Sequence, residues 1–130
     1  MPNPISAYLG IQASALPLRE ERMKLIASNL SNADTPGYRA KDLDFKAALE
    51  AAGQQQGGLA TTDPGHIAVA DSGPGAFLFN RDSVQPSLDG NTVDPDTERA
   101  AYGRAALEYR ASLSFLESKV KSMLTAITGQ

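Results

Sequence analysis

The most regular pattern of apolar positions lies in the last third of the chain. Tyr102, Ala106, Tyr109, Leu113, Leu116, Val120, Met123 and Ile127 succeed one another at steps of four and three residues, while Arg104, Glu108, Arg110, Glu117, Lys119 and Lys121 stay off the stripe. A seam of period 3.5 predicts one long helix that packs lengthwise against another helix. Asp94 suits its N-cap, Pro95 its first helical position, and Asp96 and Glu98 its first turn, where the helix dipole favours negative charge. Gly103 sits beside the seam at a cost of about 1 kcal/mol relative to Ala, which we read as a point of close helix approach.

A weaker stripe marks the other end of the chain. Leu9, Leu16, Met23 and Leu30 recur every seven residues, with Ile5, Ile26 and Ala33 on or near the same face, but the intervening Gln12 and Arg19 are polar. Pro17 lacks a backbone donor and disfavours helical geometry at Leu16, which predicts a kink or break there. The helix is expected to stop at Asn32-Ala33-Asp34-Thr35, and Pro36-Gly37 fits the two central positions of a type II turn.

Between Gly53 and Pro95 the chain turns rich in Gly and Pro and has no Lys or Glu. His66–Ala70 and Ala76–Phe79 flank a Gly/Pro loop and predict a short β-hairpin, and Gly53–Gly58 reads as a flexible link. The expected fold is mainly α, with two long terminal helices that pair as a coiled coil. Residues 1–36 form an N-terminal helical arm kinked near Pro17, residues 37–93 a turn-rich middle, and residues 94–130 a C-terminal coiled-coil helix.

A length of 130 residues suits one small domain with extended arms. The 12 basic and 15 acidic residues are spread so that no segment is a basic patch, and residues 51–95 set Arg81 against five Asp. That distribution argues against nucleic acid or an anionic membrane as partner. There is no Cys and one His, and no apolar run reaches the 18 residues of a membrane span. The N-terminus lacks the basic start and apolar core of a secretory signal, so passage out of the cytoplasm would use another route.

Candidate chemistry is sparse. Asp63 and His66 stand three residues apart, but with no second His or Cys they read as a capped turn before a strand. Asp82, Asp89, Asn91, Asp94 and Asp96 miss the spacing of a calcium loop. No catalytic, cofactor or metal residues are therefore expected. The two stripes are longer than the chain's own elements can cover, which points to partners outside it. The expected assembly interface comprises Leu9, Leu16, Met23, Ile26 and Leu30 with Tyr102, Ala106, Tyr109, Leu113, Leu116, Val120, Met123 and Ile127. A polymerising subunit and a soluble coiled-coil adaptor both fit that pattern.

Residues 27–38, Ala-Ser-Asn-Leu-Ser-Asn-Ala-Asp-Thr-Pro-Gly-Tyr, resemble the signature that ends the N-terminal helix of bacterial flagellar axial proteins, the rod, hook and hook-associated family. Asn29, Asn32, Thr35, Pro36, Gly37 and Tyr38 fall on the signature's turn. Within that family the continuation from Arg39 to Phe45, together with Asp89–Asp94 and Leu107–Leu113, is similar to a subunit of the proximal rod, with another rod subunit of the family, similar to FlgC, as the alternative. The resemblance implies a non-catalytic structural subunit whose terminal helices pair and stack with those of neighbours into a tube. It implies export by the flagellar type III apparatus without a cleaved signal, and a place in the periplasmic rod. The partners it implies are further copies of the chain, the rod subunits FlgC and FlgF, the adaptor FliE and the MS ring. Phe45-Lys46-Ala47-Ala48-Leu49 resembles the gate-recognition element of early export substrates, and the same spacing suits a Phe and a Leu packed one helical turn apart.

Overall fold

The computed structural model describes residues 4–56, 74–83 and 85–129. In chain order the elements are α1 (Pro4–Leu9), α2 (Ile11–Ser31), β1 (Lys41–Leu43), α3 (Phe45–Gln56), a 3-10 turn (Pro74–Phe77), β2 (Leu78–Asn80) and α4 (Pro95–Thr128). The long helices α2 and α4 lie antiparallel, since Asn29 meets Glu98, Arg19 meets Glu108 and Tyr8 meets Lys119. The small ribbon and α3 cover another side of α2.

The N-terminal arm breaks at Gly10, and α2 is continuous through Pro17, so of the kink or break expected there the break does not occur. Gly10 takes φ 64° and ψ −154°, a region essentially reserved for glycine, so the chain can change direction there at little steric cost. Pro17 lies on the exposed side of α2, where water can take the carbonyl that the proline leaves unbonded.

The other end of α2 is as expected. Asn32 caps the helix, and the Thr35–Tyr38 turn has Gly37 at φ 72° with Tyr38 N–H donating to the Thr35 carbonyl at 3.2 Å. α4 likewise starts on an Asp94 cap followed by Pro95, and ends on Gly129 in the left-handed region.

In the middle, β2 overlaps the second arm of the expected hairpin, Ala76–Phe79. β2 pairs antiparallel with β1, placing Lys41 opposite Asn80, Asp42 opposite Phe79 and Leu43 opposite Leu78. The His66–Ala70 arm of that hairpin lies outside the described residues, as do Asp63, His66, Gly57 and Gly58. Residues 53–56 of the expected flexible link instead continue α3. The reason is tertiary. Leu18, Leu43 and Ala48 form a small core, with Leu25, Phe45, Leu49 and Phe77 packed around it, so α3 has an apolar face to bury.

Candidate functional site

The signature turn is held by side-chain amides. Asn29 is fully buried. Its Nδ2 donates to the Lys41 carbonyl at 2.7 Å and to Glu98 Oε2 at 3.3 Å, and its Oδ1 accepts from Lys41 N–H at 2.9 Å. One side chain thereby joins α2, β1 and α4. Asn32 Nδ2 donates to the Ser28 carbonyl at 2.8 Å and its Oδ1 accepts from the Thr35 hydroxyl at 3.2 Å, closing the helix end. Asn91 reaches the same turn from the far side of the sequence. Its Nδ2 lies 2.8–2.9 Å from the carbonyls of Asn32, Ala33 and Thr35. Gly37 N–H donates to the Asp89 carbonyl and Thr92 N–H to the Tyr38 carbonyl, so the segment before α4 clasps the turn after α2.

A charged cluster lies next to Asn29. Glu98 is 2% exposed and meets the guanidinium of Arg81. Arg81 also lies 3.7 Å from Asp42, whose other oxygen faces Arg22 at 3.3 Å. Two carboxylates and two guanidinium groups from α2, β1, the residue after β2 and α4 thus neutralise one another, as buried charge requires. At the start of α4, hydrogen bonds from the Thr97 hydroxyl, then from the Thr97 and Asp96 N–H groups, hold the Asp94 carboxyl below the usual carboxylate range. Asp89 is lowered chiefly by the Ser87 hydroxyl and then by Asn91 N–H. Among the described residues no cluster of His, Asp and Glu suits a metal ion, and no helix is long and apolar enough to cross a membrane.

The long apolar stripe of α4 does not face α2. The inward side of α4 is built from Glu98, Ala105 and Ser112, with Glu108 and Lys119 partly covered. At 3.6 residues per turn the stripe is rotated from that seam by about a sixth to a quarter of a turn. Tyr109, Leu116 and Met123 flank the seam half-buried, whereas Leu113, Val120 and Ile127 are 37%, 40% and 75% exposed. α2 shows the same offset. Ala15, Leu18, Ile26 and Asn29 are buried, and of the stripe residues expected at the interface, Ile26 alone is among them. Leu9, Leu16, Met23 and Leu30 lie at the margin. Both stripes turn to one side of the helix pair, where Met23, Ala27, Tyr102 and Tyr109 line a common groove.

Gly103 is not a point of close approach within the chain. It is exposed, and a Cβ added there meets nothing within 4 Å. Phe45 and Leu49 pack together against the small core, and the Arg19 guanidinium lies 4.7 Å above the Phe45 ring while bonding Glu108 at 3.0 Å. Sequence reasoning missed Asp42, Arg81, Asn91 and the buried role of Glu98. Their partners are distant in sequence, and the one local signal was a polar Asn between two turn-forming residues, Gly90 and Thr92.

The family described as flagella basal body rod protein matches residues 9–39, which include the whole of α2 and its closing turn. Similarity to individual proteins extends along almost the whole chain. A flagellar basal body rod protein FlgB from Aeromonas hydrophila is 46% identical over 123 residues, covering 93% of this chain and 92% of its own length. Proteins of the same name from Escherichia coli K12 and Salmonella typhimurium LT2 are 43% and 42% identical, covering 95% and 96% of this chain and 94% and 96% of their own.

Proposed function

The chain belongs to the flagellar basal-body rod protein family, and from that premise we propose that it polymerises through its terminal helices as a subunit of the proximal rod. It is a structural rod protein, not an enzyme, and assembles with other basal-body components. The observation that carries the finer reading is the offset of the stripes by about a sixth to a quarter of a turn. Large apolar side chains that could have filled the α2/α4 seam are kept at its margin, where another protein can cover them. Ala105 and Ser112 let the helices approach without those side chains.

Similarity to FlgB over nearly the full length supports the proximal position, between the MS ring with its adaptor FliE and the rod subunits FlgC and FlgF. On the same reading the chain leaves the cytoplasm through the flagellar type III apparatus without signal cleavage and works in the periplasm. Phe45 and Leu49 are candidates for recognition at the export gate.

The test is to introduce Leu113→Asp or Val120→Asp in cells whose sole copy is the variant. The protein should stay soluble and helical, and should be absent from isolated basal bodies, with swimming lost, because a carboxylate at a desolvated helix contact costs several kcal/mol (roughly 3–5). Normal swimming with either variant would remove the stripe from the assembly contact.

A further inference from the structure

The first turn of α4 carries a charge into the seam. Glu98 is 2% exposed and leads the buried line that Ala105 and Ser112 continue. Its carboxylate meets the Arg81 guanidinium on one oxygen and the Asn29 amide on the other. Asn29 is neutral and already bonds both backbone groups of Lys41, so it cannot balance the charge. The nearby Arg22 and Arg99 are engaged with Asp42 and Asp96. Among the described residues Arg81 is thus the one cation paired with Glu98.

Arg81 belongs to the ribbon. It follows β2 directly, and its N–H donates to the Ala40 carbonyl at 2.7 Å, one residue beyond the pair of Lys41 and Asn80. Its Nε lies 3.7 Å from Asp42 on β1. The guanidinium is therefore delivered to α4 only when β1 and β2 are paired. Two strands of three residues hold together poorly by themselves and depend on the seat that Leu43 takes beside Leu18.

We propose that Arg81 is a latch that makes the docking of α4 on α2 conditional on a folded ribbon. A buried carboxylate that loses its counter-ion is strongly destabilising, whereas a neutral side chain in its place is tolerated. Until the ribbon has formed, Glu98 keeps its water and the first turns of α4 stay off Asn29. The rest of the seam does not override this, because the buried residues of α4 beyond Glu98 are the small Ala105 and Ser112. An apolar side chain at position 98 would dock whether or not the ribbon was present. The folded middle thereby decides when the two helices meet and when Met23, Ala27, Tyr102 and Tyr109 come together in their groove. This holds whatever the chain assembles with.

Amide exchange on the purified full-length chain, followed by mass spectrometry over residues 95–105, reads the docking of α4. Arg81→Ala should raise exchange there by about a hundredfold or more, the effect of an unpaired buried charge. Glu98→Gln should stay within roughly threefold of wild type, since its side chain still accepts from Asn29. Arg81→Ala combined with Glu98→Gln should return to the level of Glu98→Gln alone, and this decides the matter even where Arg81→Ala unfolds the whole chain. A combined variant that exchanges as fast as Arg81→Ala would show that Arg81 acts by packing and would overturn the latch. Unchanged exchange in Arg81→Ala would overturn it as well.

A second pair of variants breaks the ribbon and leaves Arg81 in place. Phe79 shares the strand parity of Arg81, so its N–H points at β1, and Phe79→Pro removes that bond. Exchange over residues 95–105 should rise in Phe79→Pro and return toward wild type when Glu98→Gln is added. A rise that Glu98→Gln leaves in place would mean that the ribbon supports α4 without the latch. No rise at all would mean that docking does not depend on the ribbon, and either result overturns the proposal.

Discussion

Asn29 Nδ2 donates to Glu98 Oε2 at 3.3 Å, and the two side chains are among the largest fully buried ones. The last turns of α2 and the first turn of α4 are therefore set in register by a polar contact, not by an apolar one. A buried amide leaves its partners unsatisfied when removed, whereas a slipped apolar contact can find another neighbour. Asn29→Ala should destabilise the purified chain by about 2–3 kcal/mol, read from urea denaturation. Asn32→Ala, at an exposed helix end, should cost about 1 kcal/mol. Equal midpoints for the two variants would contradict the register role of Asn29.

The offset seam makes a paired prediction. Ala105 is 5% exposed against α2, so Ala105→Asp buries an unpaired carboxylate and should unfold the free chain or lower its stability by about 3 kcal/mol or more. Leu113→Asp, on the stripe, should leave stability within about 0.5 kcal/mol of wild type. Reversal of that order in thermal denaturation would show that the stripe faces α2 after all.

Gly103→Ala should stabilise the isolated chain by about 1 kcal/mol, since the helix gains propensity and the added methyl meets nothing. For a chain of this size that corresponds to roughly 3–6 °C in Tm by differential scanning calorimetry. A lower Tm would mean that the glycine serves a contact within the chain.

Asp89 and Asp94 predict acid sensitivity with a definite sign. Their folded-state carboxyls lie below the ordinary aspartate value of about 3.8, so their contribution is present above that pH and is lost as pH falls through the lower folded values. The clasp and the α4 cap should therefore loosen below about pH 4. Asp94→Asn keeps a good capping side chain and removes one titration, so the fall of Tm with acid should be shallower than in wild type. An unchanged slope would assign the acid sensitivity elsewhere.

Phe45→Ala removes a half-buried ring from the small core and from beneath Arg19, and should cost about 2 kcal/mol. Leu18→Ala removes a buried side chain from the same core and should cost about 3 kcal/mol. If Phe45 also serves export, secretion should fall with Phe45→Ala and not with Leu18→Ala. Equal secretion would leave Phe45 with packing alone.

What was legible in the sequence was local. The Asp94 cap, the Pro95 start and the Thr35–Tyr38 turn are each written within four consecutive residues, and the length of α4 follows from the unbroken apolar stripe between Tyr102 and Ile127. What was hidden depends on distant partners. Glu98 reads as a first-turn acid until Arg81, 17 residues away, reaches it. Asn91 is an unremarkable turn residue until the carbonyls of Asn32, Ala33 and Thr35 meet its amide. α3 carries Gly53 and a run of Gln that suggest a link, and only Leu18 and Leu43 supply the surface that makes a helix there worthwhile. The stripes themselves were visible, but their facing was not, because a period gives spacing around a helix and not the direction of its partner.

The slender seam also bears on the mechanics of the single chain. Among the described residues the largest fully buried side chains are Ile26, Glu98 and Asn29, so little apolar surface is withdrawn from water when α2 and α4 meet. Drawing such a chain out into an extended thread takes little work, because few large side chains have to be pulled from a close-packed interior. In the proposed polymer, rigidity would then belong to the assembly more than to the subunit: stiffness would be acquired only as successive copies covered one another's exposed leucines, valines and tyrosines.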